Sequence, residues 1–107
     1  MTDLAARVLT LLRDGRWRLL SGLAELLDVD RRLIEEAVEE LRLAGEPIVG
    51  GNAGIRLTDN PIELRAYIAQ RRGRAFAIAK GTRQLRHTAN RMESGNAGQR
   101  TLFGEVA

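Results

Sequence analysis

The chain has 107 residues, 44% of them apolar and 29% charged, which suits one modest core of roughly 60 residues plus appendages. It contains no cysteine, which excludes a disulfide framework, a thiolate metal site and a cysteine nucleophile and fits a reducing compartment. No run nears the roughly 18 apolar residues of a membrane span, and Met1-Thr2-Asp3 lacks the basic and apolar regions of an export signal, so the expectation is a cytoplasmic protein with no membrane partner.

Leu4, Val8, Leu11 and Leu12 recur at helical spacing, which predicts a first helix stopped near Gly15. Arg16-Trp17-Arg18 bridges to a second short helix, with Ser21 as the expected N-cap, Leu23, Ala24 and Leu27 on one face, and Trp17 plugging the bridge against the core. After the turn Asp28-Val29, Asp30 is expected to cap a third helix from Arg31 to Ala44, with Ile34, Ala37, Val38 and Leu41 aligned and Gly45 at its end. Pro47-Ile48-Val49 and Ile55-Arg56-Leu57 flank a glycine-rich tip, Gly50 to Gly54, and predict a β-hairpin.

Asn60-Pro61 opens a further helical pattern that runs to about Met92, a length of about 48 Å if unbroken. Leu64, Ile68, Ala75, Ile78, Thr82, Leu85, Ala89 and Met92 recur every 3.5 residues on average, interrupted at Arg71, a seam that makes a homodimer an expected partnership. Residues 93–107 show no helical period and are expected to form a flexible tail. The expected plan is therefore a mainly α fold with a small β-hairpin over 1–59, a long basic helix over 60–92 and a tail over 93–107.

Three short helices followed by a hairpin is the order of a winged helix-turn-helix, in which the third helix presents its N-terminal residues to the major groove. Arg31 and Arg32 then suit guanine, Glu35 suits cytosine, and Arg16, Arg18, Asn52 and Arg56 suit the backbone or minor groove. Residues 1–60 carry 8 basic and 11 acidic side chains, whereas 61–107 carry 9 basic and 3 acidic, so the second half is the better polyanion partner. Arg71, Arg72 and Arg74 are its expected phosphate contacts, backed by Arg65, Lys80, Arg83, Arg86 and Arg91. The bland alternative is a set of solvated charged faces, and Glu36, Glu39 and Glu40 on the third helix weigh toward it. His87 is the only histidine, and neither a metal-ligand spacing nor a phosphate loop occurs, so no enzyme, metal or cofactor is expected.

The stretch from Ser21 to Ile34, with Leu41-Arg42-Leu43-Ala44-Gly45-Glu46-Pro47-Ile48, resembles the winged-helix family that includes the DNA-binding domain of biotin-operon repressors. The basic helix and short tail that follow look like small winged-helix proteins of bacteriophages and prophages. That resemblance implies a duplex-DNA-binding transcriptional regulator or replication accessory factor, working in a bacterial host cytoplasm. Gln99, Leu102 and Phe103 are similar to the peptide by which bacterial replication proteins dock on the DNA polymerase sliding clamp, and two adjacent large apolar side chains beside a glutamine can fill neighbouring pockets. Two alternatives stand beside these: a tail folded back on the protein itself, and a protein-interaction adaptor that uses the winged helix only as a scaffold.

Overall fold

A computed structural model describes the backbone of residues 1–103 and the side chains of residues 1–95. It is mainly helical with one two-stranded antiparallel hairpin, in the order α1 (Asp3–Leu12), α2 (Leu20–Leu27), α3 (Arg31–Leu43), β1 (Ile48–Gly51), β2 (Gly54–Leu57) and α4 (Pro61–Phe103). The chain divides into two units between Ala69 and Gln70.

In the first unit, the apolar faces of the three short helices and one face of the hairpin close around a single core. Ala5, Val8, Leu9 and Leu12 of α1, Leu23 of α2, Ile34, Ala37, Val38 and Leu41 of α3, and Ile48 and Ile55 of the hairpin are all buried. On α1 the stripe is rotated from the one read from periodicity: Leu4 and Leu11 only flank the core, and Ala5 and Leu9 enter it. Thr2 caps α1 by accepting the Ala5 amide at 3.2 Å. Glu40 of α3 in turn accepts the Thr2 amide at 2.8 Å and the Thr2 hydroxyl at 2.7 Å, so the start of α1 is held by α3.

The expected cap of α2 is displaced, and that of α3 stands in place without its side-chain bond. The chain reaches α2 from an extended bridge, in which the Arg18 and Ile55 backbones exchange hydrogen bonds at 2.9 and 2.8 Å. That bridge delivers Leu19 as the N-cap and leaves Ser21 within the first turn. Asp30 is the N-cap of α3, as expected, but its side chain makes no cap bond. The helix ends follow local rules more closely. Asp28, with φ of 52°, closes α2 as its Val29 neighbour bonds back to the Ala24 carbonyl. Gly45, with φ of 97°, closes α3 through paired bonds from Gly45 to Arg42 and from Glu46 to Leu41, the Schellman arrangement.

The hairpin pairs Ile48 with Leu57, Val49 with Arg56, Gly50 with Ile55 and Gly51 with Gly54, leaving Asn52 and Ala53 at the tip. Asn60 accepts the Ile62 amide at 2.9 Å and opens α4 with Pro61 in its first turn, as its sequence predicts. Two side-chain ties hold the first turns of α4 within the first unit: Glu63 to Arg56, and Tyr67 to Arg42. The division falls inside α4, ten residues beyond the domain limit read from the sequence.

In the second unit, α4 continues past Met92, where periodicity ended it, through the expected tail to Phe103. No proline follows Pro61, and extending a formed helix by one residue adds a hydrogen bond for each residue fixed, so small polar residues are carried along. Among the described residues no helix is long and apolar enough to cross a membrane.

Candidate nucleic-acid interface

The first turn of α3 exposes Arg31 and Arg32, as a groove-reading helix requires. Each guanidinium leans on a glutamate one turn on: Arg31 Nε lies 3.3 Å from Glu35 Oε1, and Arg32 Nε lies 3.9 Å from Glu36 Oε1. Glu35 is thus a partner of Arg31 before it is an acceptor for a base. Exposed pairs of this kind are worth about 0–1 kcal/mol, so a phosphate or guanine can displace them. Further along, the line facing away from the core continues through Glu36 and Glu39 to Leu43, and it repels phosphate.

Two residues expected at the DNA are engaged inside the protein instead. Arg18 donates from Nε to the Leu11 carbonyl at 2.9 Å and from Nη2 to Asp14 at 3.0 Å, which ties the bridge to the end of α1. Arg56 donates to Glu63 at 2.6 Å while its guanidinium stacks 4.9 Å from the Trp17 ring centroid, and its Nε is buried without a partner. Arg56 is neutralised by a carboxylate from another element, α4, whereas Arg18 folds back on Asp14, four residues before it in the same connection. Trp17 accordingly lies half exposed over Arg56 and Gly51, outside the core where it was expected.

Arg16 keeps an exposed guanidinium. Its amide donates to Asp14 Oδ1 at 3.0 Å, and that bond, with the Arg18 guanidinium beside it, holds the Asp14 carboxyl below its ordinary range. Neighbouring Arg13, not singled out by motif, is exposed as well, and among the described residues neither arginine has an ion-pair partner. Asn52 is exposed at the hairpin tip. Arg13, Arg16, Asn52 and the exposed Arg65 of α4 are therefore contacts that remain available outside α3 in the first unit.

The second unit carries a surface of its own. At 3.6 residues per turn, Arg72, Lys80, Arg83, Arg86, His87 and Arg91 fall on one side of α4, and Ala75, Ile78, Thr82, Leu85, Ala89 and Met92 fall toward the other. Arg72, Lys80, Arg83, Arg86 and Arg91 are exposed and make no ion pair among the described residues. Phe76, 71% exposed, stands among these cations. Of the expected trio Arg71, Arg72 and Arg74, the structure puts only Arg72 on this face, while Arg71 and Arg74 lie toward the apolar seam. The spacing of residues 80, 83, 87 and 91 was the signal for the better set, and it is legible in the sequence once the helix is known to be unbroken.

Gln99, Leu102 and Phe103 lie on the helical backbone of α4, and their side chains fall outside the described residues. Among the described residues no three His, Asp or Glu side chains gather to hold a metal ion. Comparison with known protein families, curated proteins and solved structures finds no match to this chain.

Proposed function

We propose that the chain is a duplex-DNA-binding protein of the winged helix-turn-helix kind, a small regulator or replication accessory factor without catalytic activity. The observation that carries this reading is the unpaired cationic face of α4, Arg72, Lys80, Arg83, Arg86 and Arg91, on a stretch where Glu93 is the sole carboxylate between Gln70 and Phe103. A duplex presents closely spaced phosphates, and neutralising them releases condensed counterions, which drives association without base contacts. The first unit supports the same reading independently, since its three helices and hairpin follow in winged-helix order and expose Arg31 and Arg32 at the start of the third helix. Phosphate contacts from Arg13 and Arg16 would add register, and Arg31 or Arg32 would supply what base discrimination there is.

The test is fluorescence anisotropy with a mixed-sequence duplex across a salt series. Neutralisation of five phosphates gives a slope of log affinity against log salt of roughly −4.5. The variant Lys80→Glu, Arg83→Glu, Arg91→Glu should lose most of that binding and flatten the slope, while its melting temperature stays near the parent value. Absence of binding at low salt, or binding indifferent to these changes, overturns the reading.

One observation favours an adaptor instead: the outward line of α3 is carboxylate-rich and ends in exposed Leu43, a poor surface for a DNA groove. On that reading a partner protein, the sliding clamp included, is captured through Gln99, Leu102 and Phe103. An extended docking peptide requires the last turns of α4 to unwind, so Leu102→Ala with Phe103→Ala abolishes capture of purified clamp without touching DNA affinity.

A further inference from the structure

The apolar seam of α4 calls for a cover. Ile78, Leu85 and Met92 are 63%, 70% and 64% exposed, on a helix whose interior Gly73 and Gly81 disfavour an isolated helix in water. Large and small residues alternate strictly along this seam: Ala75, Ile78, Thr82, Leu85, Ala89, Met92. The run is bounded on its N-terminal side by Arg71 at the preceding seam position.

We infer that residues 75–92 of α4 pair with the same segment of a second copy of this chain in the antiparallel sense, Thr82 of one copy opposite Leu85 of the other. Laid antiparallel upon itself, the run places Ala75 opposite Met92, Ile78 opposite Ala89 and Thr82 opposite Leu85, so every layer joins one large and one small side chain and the spacing of the helices stays even. A parallel pair would stack Ala75 on Ala75 and Leu85 on Leu85, alternating gaps with crowded layers, and would set Arg71 against Arg71 in the seam. The antiparallel register holds the two Arg71 positions about 37 Å apart along the axis.

Charge points the same way. Glu93 and Arg72 lie beside opposite ends of the run, and this register brings Arg72 of each copy within a helical turn of Glu93 of the other, on the same flank. In a parallel pair Glu93 would meet Thr88 and find no cation. Gly81, where an added Cβ would meet nothing within 4 Å, and Ala79 flank the centre and let the backbones approach closely.

The inference requires no part of the nucleic-acid reading and is measured without DNA. The chain has no native cysteine, so single variants report pairing cleanly. Sedimentation of the full chain at tens of micromolar should give a dimer. Under mild oxidation, an equimolar mixture of Ala75→Cys and Met92→Cys proteins should form the mixed disulfide, while neither variant links to itself, because like positions lie about 25 Å apart along the axis. Glu93→Arg should weaken self-association by about tenfold, and Arg72→Glu with Glu93→Arg in one chain should restore it. A monomer, links between like positions only, or a dimer that forms no mixed disulfide overturns the inference.

Discussion

The Tyr67 hydroxyl accepts a hydrogen bond from Arg42 Nη2 at 2.9 Å while the same guanidinium lies 5.2 Å from the Tyr67 ring centroid. Arg42 also donates from Nε to the Ile48 carbonyl at 3.1 Å and from Nη1 to Glu39 at 2.8 Å, and its side chain is only 17% exposed. One arginine thereby joins α3, β1 and the start of α4. Tyr67→Phe keeps the ring and removes the acceptor, so it should cost about 1–2 kcal/mol, read as a lower urea midpoint with an unchanged slope. A change below 0.3 kcal/mol would show that Tyr67 acts on Arg42 through ring stacking alone, a contact worth about 0.5–1 kcal/mol.

Gly54 and Gly45 both have positive φ, 111° and 97°, but only Gly54 is also enclosed. A Cβ there would collide with the Arg18 carbonyl and come within 2.9 Å of Leu19 Cα, because the bridge from α1 to α2 runs directly over β2; at Gly45 nothing lies within 4 Å. Gly45→Ala should therefore cost about 1 kcal/mol of strain, and Gly54→Ala at least twice that, through loss of the Arg18 to Ile55 pairing. Thermal melts of the two variants compare them directly.

Hydrogen bonds from the Thr2 hydroxyl and amide hold the Glu40 carboxyl below its ordinary value. A group whose pKa is lowered in the folded state contributes stability above its unfolded value, and that contribution is lost as pH falls through the folded one. Acidification below about pH 4.5, the ordinary glutamate value, should thus release the start of α1. Glu40→Gln should show a flatter stability profile than the parent as the pH falls below about 4.5.

Phe76 is exposed among the cations of α4 and touches no core, so Phe76→Ala should leave stability within about 0.5 kcal/mol. If the face binds nucleic acid with the ring inserted against bases, the same change should weaken binding by about tenfold or more. Equal affinities for parent and variant would assign the ring no part in binding.

Much of this molecule was readable in advance because the rules are local. Ile34, Ala37, Val38 and Leu41 recur at helical spacing, Gly45 stops the helix they form, and the glycine-rich tip between Val49 and Ile55 demands a turn. The errors came where a distant element decided. Ser21 looks like a cap until the Arg18 to Ile55 bridge sets where α2 begins, and Trp17 looks like a core residue until Arg56 is found beneath it.

The order of the elements, the apolar faces of α2 and α3, and the concentration of positive charge in the second half follow from the residues alone, since periodicity, helix-stop signals and charge count act over a few residues. Which cations stand free was settled by the folded arrangement. Arg56 meets Glu63 across a helix start, and Arg18 is turned back onto Asp14 and the Leu11 carbonyl, while Lys80, Arg83 and Arg91 share an unbroken helical face, because a charge is neutralised by what the fold brings near it in space.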